Sequence, residues 1–198
     1  MHFDFVSDHL ALDFAATVTW RTTARIELLT CPEDLADWIR QSGLLEPPDA
    51  PDAPDASGPP EAGDAGATPG PGILDAAREL REAIYRTGVA VLRATSADPT
   101  DLRAIRRAAA RPRVVPVLRG VGVLDYRGGL DEALATIAVS ASELFGGPER
   151  RLIRACARED CTRLFLDRSR AGSRRWCDKL RCGSQANSAA YRRRKTVR

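Results

Sequence analysis

The chain is poor in histidine, with only His2 and His9 among 198 residues, and only 6% of it is aromatic. It has no G-x-S-x-G nucleophile elbow and no phosphate-binding glycine loop. Its adjacent carboxylates, Glu33-Asp34 and Asp131-Glu132, fall at predicted helix starts, where the positive end of the helix dipole accounts for them. No enzymatic activity is expected. No apolar run approaches the length of a membrane-spanning helix. The opening MHFDFVSDHL, with two acids in ten residues, lacks the basic and apolar regions of a signal peptide. These absences predict a soluble protein of the reducing cytoplasm, with no membrane partner. Lysine is scarce too: arginine outnumbers it 28 to 2, which hints at a GC-rich genome.

What is present is a charge split. The net charge of +3 conceals it. Residues 150–198 hold 16 Lys/Arg against 4 Asp/Glu, and residues 1–149 hold 14 against 23. An excess of +12 beside one of −9 predicts two modules, the second with a polyanionic partner.

The first module, residues 1–149, reads as mainly helical. LTCPEDLADWIRQSG carries cap candidates Thr30 and Cys31, Pro32 in the first turn, and a stripe of Leu35, Trp38 and Ile39. Gly43 ends that helix. Pro47 to Gly72 contains only Pro, Gly, Ala, Asp, Glu, Ser and Thr, so it is expected to be a disordered acidic insertion. Helical periodicity returns over Ile73–Ala94, and Asp98-Pro99 opens another helix to about Ala110. Val114 to Leu118 and Val121 to Tyr126 read as two strands joined around Arg119-Gly120. Leu130–Phe145 is helical again.

The strongest chemical signal follows. Cys156 and Cys161 are a C-x4-C pair, and after fifteen residues Cys177 and Cys182 are another. Two short loops with paired thiolates supply the four soft donors of a tetrahedral Zn2+ site. Four sulfurs leave no position for water, so one structural zinc is expected rather than a catalytic one. Two disulfides and a redox-responsive zinc–thiolate site are the alternatives. Between the pairs the sequence suggests a hairpin, with Leu164-Phe165-Leu166 as one arm and Arg175-Trp176 as the return. Phe165 and Trp176 would then cover the metal. Cys31 stands apart, near a helix start.

After Cys182, Gly183 reads as a tight turn and Ser184 as the cap of a closing helix. Gln185 and Asn187 suit base edges, and Arg192, Arg193, Arg194 and Lys195 suit phosphates. Arg168, Arg170, Arg174, Arg175 and Arg181 would add a second basic surface. Few exposed aromatics are available for base stacking, with Tyr191 the clearest, so duplex DNA is expected ahead of RNA. A protein-binding adaptor, its basic face on an acidic protein, is a further alternative.

The order of elements resembles the bacterial CGNR zinc-finger proteins, which join an N-terminal ABATE-type domain to a C-terminal finger. LALDFAATV, ELLTCPEDLADWIRQSGLL, ALATIAVSASELF and RACAREDCTRLFLDRSRAGSRRWCDKLRCG carry the resemblance. It implies zinc ligands at Cys156, Cys161, Cys177 and Cys182 and a role as a stress-induced transcriptional regulator. The family's name motif, Cys-Gly-Asn-Arg, is Cys182-Gly183-Ser184-Gln185 here, a frequent lysine is Asn187, and an Asn-Thr near the front is Ala16-Thr17. The expected architecture is α+β and mainly α: a helical domain with a small β-hairpin, then a treble-clef- or ribbon-like four-cysteine zinc finger ending in a basic helix. The expected function is a nucleoid-associated, DNA-binding regulator whose N-terminal domain senses an unnamed effector or forms a homodimer.

Overall fold

The computed structural model describes residues 2–45, 72–186 and 188. Apart from Gly72, the acidic stretch Pro47–Gly72 lies outside the described residues. The described part is α+β and mainly α, with three two-stranded antiparallel hairpins. Helix α1 (Leu10–Ala15) is followed by β1 (Val18–Thr19), β2 (Ile26–Glu27) and α2 (Pro32–Gln41). Then come α3 (Ile73–Leu92), α4 (Pro99–Ala109), β3 (Val115–Gly120), β4 (Val123–Arg127) and α5 (Leu130–Gly146). A 310 turn at Pro148–Leu152 leads into β5 (Ile153–Ala155) and β6 (Leu164–Leu166).

Helices α2 to α5 form where the sequence pattern predicts. Cys31 caps α2 with extended backbone, and the Asp34 carboxylate accepts from the Thr30 and Cys31 N–H groups at 2.8 and 3.2 Å. Those bonds hold the Asp34 carboxyl below its ordinary range, with the Thr30 hydroxyl the largest cause. Leu35, Trp38 and Ile39 are buried, as the stripe requires. Asp98 caps α4 by accepting from the Thr100 N–H at 2.7 Å. Trp38 meets the edge of Phe14 at 5.1 Å, which ties α2 to α1. Helix α1 has six residues, and all but Leu10 are buried at the centre of the bundle. Its N-terminus is capped by His9, whose Nδ1 accepts from the Ala11 N–H at 3.3 Å.

Three sequence expectations are corrected. The β3–β4 turn lies at Val121-Gly122, with an irregularity between Leu118 and Gly120, because Gly122 takes the left-handed conformation at φ +83°. The partner of β6 is β5 rather than Arg175-Trp176; Ile153 pairs with Leu166 and Ala155 with Leu164. The return segment instead bonds through the Arg175 carbonyl to the Ala157 N–H at 2.8 Å. Finally, the closing helix starts before Ser184. It opens with a helical turn, Lys179–Gly183, and runs on through Ser184, Gln185 and Ala186. Asp178 is the cap, accepting from Leu180 and Arg181 N–H at 2.7 and 3.1 Å. Gly183 makes no turn; it lies inside the helix against the Trp176 ring.

Three clusters make the core. The largest joins α1 to α5. The second joins Leu12 of α1 and Leu144 of α5 to Ile153, Leu164 and Leu166 of β5 and β6. The third gathers Phe165, Cys156, Cys177 and Cys182, with Val6 and Trp176 against them. Strand alternation explains the division: Leu164 and Leu166 face the helices, and Phe165 faces the cysteines. Each of these three side chains is almost fully buried, contributing about 1.5–3 kcal/mol by burial.

Candidate metal centre and nucleic-acid surface

Cys156 follows β5, and its N–H reaches the Arg163 carbonyl at 3.0 Å. The chain turns back tightly, with the Cys161 N–H on the Arg158 carbonyl at 3.0 Å. Cys177 ends the return segment, and Cys182 sits in the first turn of the closing helix. The four sulfurs lie within 4.8 Å of one another. Cys161 and Cys177 are 3.8 Å apart, and Cys177 and Cys182 are 3.6 Å apart. A tetrahedron with Zn–S bonds of about 2.3 Å has S···S edges of about 3.8 Å, so the arrangement fits one zinc. Disulfides would need sulfurs about 2.05 Å apart, and all five cysteines are free thiols.

The electrostatics point the same way. Hydrogen bonds from Cys161 and Cys177 hold the Cys156 thiol far below its ordinary value, and the Cys156 thiolate pushes Cys161 and Cys177 up. Thiolates this close cannot all ionise beside one another without a cation to neutralise them. Phe165 and Trp176 pack against the cluster, as expected for its apolar cover.

The first residues of the chain close the other side. The Arg174 guanidinium donates to the Val6 and Cys177 carbonyls at 2.6 and 2.5 Å and to the Trp176 carbonyl at 3.0 Å, and it pairs with Asp8. Arg163 donates to the Asp4 carbonyl at 2.9 Å, and Arg181 pairs with the Asp4 carboxylate. Asp13, a buried residue of α1, accepts from the Ser7 N–H at 2.9 Å, while burial raises its carboxyl above the ordinary range. A second contact comes from the β1–β2 connection. The Arg158 guanidinium lies 4.4 Å over Trp20, and the Arg21 N–H donates to Thr162 Oγ1 at 3.2 Å.

Residues 8–148 match the family described as "Putative stress-induced transcription regulator" (ABATE), and residues 152–195 match the CGNR zinc finger. The chain belongs to the ABATE family and carries a CGNR zinc finger. No curated protein matches it significantly. The CGNR finger and the convergent sulfurs support a single structural zinc. Such an ion crosslinks β5, the return segment and the closing helix. No described helix is long and apolar enough to cross a membrane.

The expected nucleic-acid residues of the CGNR finger divide into three groups. Arg174, Arg168 and Arg181 are engaged within the protein; Arg168 pairs with Glu149 at 2.8 Å. Arg170 and Gln185 are exposed, and Arg175 is exposed with its guanidinium 5.1 Å from the Trp176 ring. Asn187, Arg192, Arg193, Arg194 and Lys195 lie outside the described residues. Sequence reasoning missed Asp4, Val6 and Asp8 as partners of the finger and His9 as a cap. An Asp and a carbonyl more than 150 residues from their arginines leave no local pattern.

Proposed function

We propose that this chain is a zinc-dependent, DNA-binding transcriptional regulator. Cys156, Cys161, Cys177 and Cys182 hold the ion, and residues 150–198 dock on duplex DNA. The ABATE part, residues 1–149, senses a signal or forms the homodimer. The observation that carries the reading is the placement of Cys182 inside the first turn of the closing helix. The metal therefore fixes the axis of a helix whose second turn exposes Gln185 and whose sequence continues into Arg192-Arg193-Arg194-Lys195. A rigidly held helix with amides ahead of a cationic run suits groove docking, the amides at base edges and the cations on phosphates.

The internal ion pairs refine which cations remain for DNA. Arg170, Arg175 and the run from Arg192 to Lys195 are the phosphate contacts in this reading, and Arg174 is a positioning residue. The test is fluorescence anisotropy with genomic fragments, random duplex and structured RNA over a salt series. Preferential binding to some fragments is expected, with a log–log salt slope of about −5.4 for the six phosphate contacts. Equal affinity for random duplex would overturn sequence-specific regulation. Tighter binding to structured RNA would overturn the choice of duplex.

A further inference from the structure

The β3–β4 hairpin holds five of the ten large apolar side chains that are exposed among the described residues. Val115, Leu118, Val121, Val123 and Leu124 are all exposed, Leu118 at 73% and Val121 at the turn completely. Leu118 and Leu124 are cross-strand partners, so two of these side chains make one apolar surface. A two-stranded hairpin is marginal alone, and five large exposed aliphatic side chains in thirteen residues are not the composition of a solvated loop. Beside its base runs an open groove of about 900 Å3, floored by Val114, Val115, Pro116 and Val139 and edged by Arg113 and Glu143.

We propose that the hairpin is a dimerisation arm: its tip lies in the groove of a second copy of this chain, whose own tip fills the first groove. Two features select a second copy as the occupant. One is area. Reciprocal seating covers both the tip and the groove on each chain, toward the ~800 Å2 per partner of a standard stable interface, whereas a single seated tip covers one of the two. The other is charge. At the tip Arg119 and Asp125 pair with each other at 3.1 Å, and the groove carries Arg113 and Glu143, so neither side bears a net charge. Two such balanced surfaces meet under a two-fold axis without like-charge repulsion, and the balance does not suit a polyanion.

This gives the dimerising role in the proposed function a place, and it is tested without nucleic acid. Light scattering on the zinc-loaded full chain at tens of micromolar is expected to give twice the 21.5 kDa chain mass. Leu118→Glu with Val121→Glu, at exposed positions, is expected to raise the dimer dissociation constant at least about a hundredfold, with unchanged far-UV signal and zinc content. Val139→Glu in the groove is expected to do the same. A wild-type monomer, or a dimer that survives the hairpin variant, overturns the arm. A dimer lost with the hairpin variant but kept by a folded Val139→Glu overturns the seat.

Discussion

Arg174 lies over Phe165, its guanidinium carbon 4.4 Å from the ring centroid, on the face of β6 that also meets the cysteines. Counted by charge alone it is a cation for a phosphate. Its nitrogens are instead committed to carbonyls of Val6, Trp176 and Cys177. Arg174→Gln is expected to cost about 2–4 kcal/mol in stability, because it leaves three part-buried carbonyls without this donor. It is also expected to weaken zinc binding about tenfold or more, through the backbone of Cys177. The slope of DNA affinity against salt should stay as in the wild type. Arg170→Gln should do the reverse, leaving the melting curve alone and reducing the slope by about 0.9. Calorimetry and anisotropy on both variants check the pair.

Cys177→Ser is expected to release zinc and unfold the chain from about residue 150. Leu12 and Leu144 share a core with Ile153, Leu164 and Leu166. Loss of that contact should therefore also lower the thermal midpoint of the helical signal that survives. Circular dichroism with zinc quantification measures both. A helical part melting as in the wild type would show that the shared core contributes nothing to it.

Gly88 marks the same seam from the helical side. A Cβ at this position in α3 would come within 2.6 Å of Leu164 Cδ1. Gly88→Ala should gain about 1 kcal/mol from helix propensity. Overpacking costs about 1–3 kcal/mol, so a net loss of about 1 kcal/mol is expected. Leu164→Ala is destabilising alone, yet in the Gly88→Ala background its cost should shrink. A denaturant double-mutant cycle reads the coupling.

His9 supplies a pH test. Burial lowers its pKa below 6.5, and Nδ1 must stay unprotonated to accept from the Ala11 N–H. For a base whose folded pKa is depressed, the unfolded chain takes up protons first. Stability is thus full above pH 6.5 and declines as pH falls from there to the folded pKa. His9→Asn keeps a cap acceptor and should flatten this part of the profile. Urea midpoints between neutral and mildly acid pH, compared for the two proteins, isolate the step from proton uptake by the thiolates.

The parts legible in the sequence are those with a period or a spacing. The Leu35, Trp38 and Ile39 stripe lies in the core, and the two C-x4-C pairs converge. Helix α1 is too short to show a period, and β5 has three residues, so burial rather than pattern makes them. The start of the closing helix was readable in principle. Asp178 precedes Lys179-Leu180-Arg181 in the manner of an N-cap, but the Ser184 option after Gly183 competes with it, and local chemistry does not rank them. The grip of the Asp4–Asp8 segment on the finger depends wholly on tertiary proximity.

The strand β6 has one residue for the metal side and two for the helical side. Side-chain direction in a strand inverts with every residue, so sliding this segment by one position would send Phe165 into the bundle and strip the sulfurs of their cover. The chain from Cys161 to Leu164 therefore works as a spacer of fixed parity. Inserting or deleting a single residue there should uncouple metal loading from helical assembly, whereas a two-residue change keeps both faces in phase.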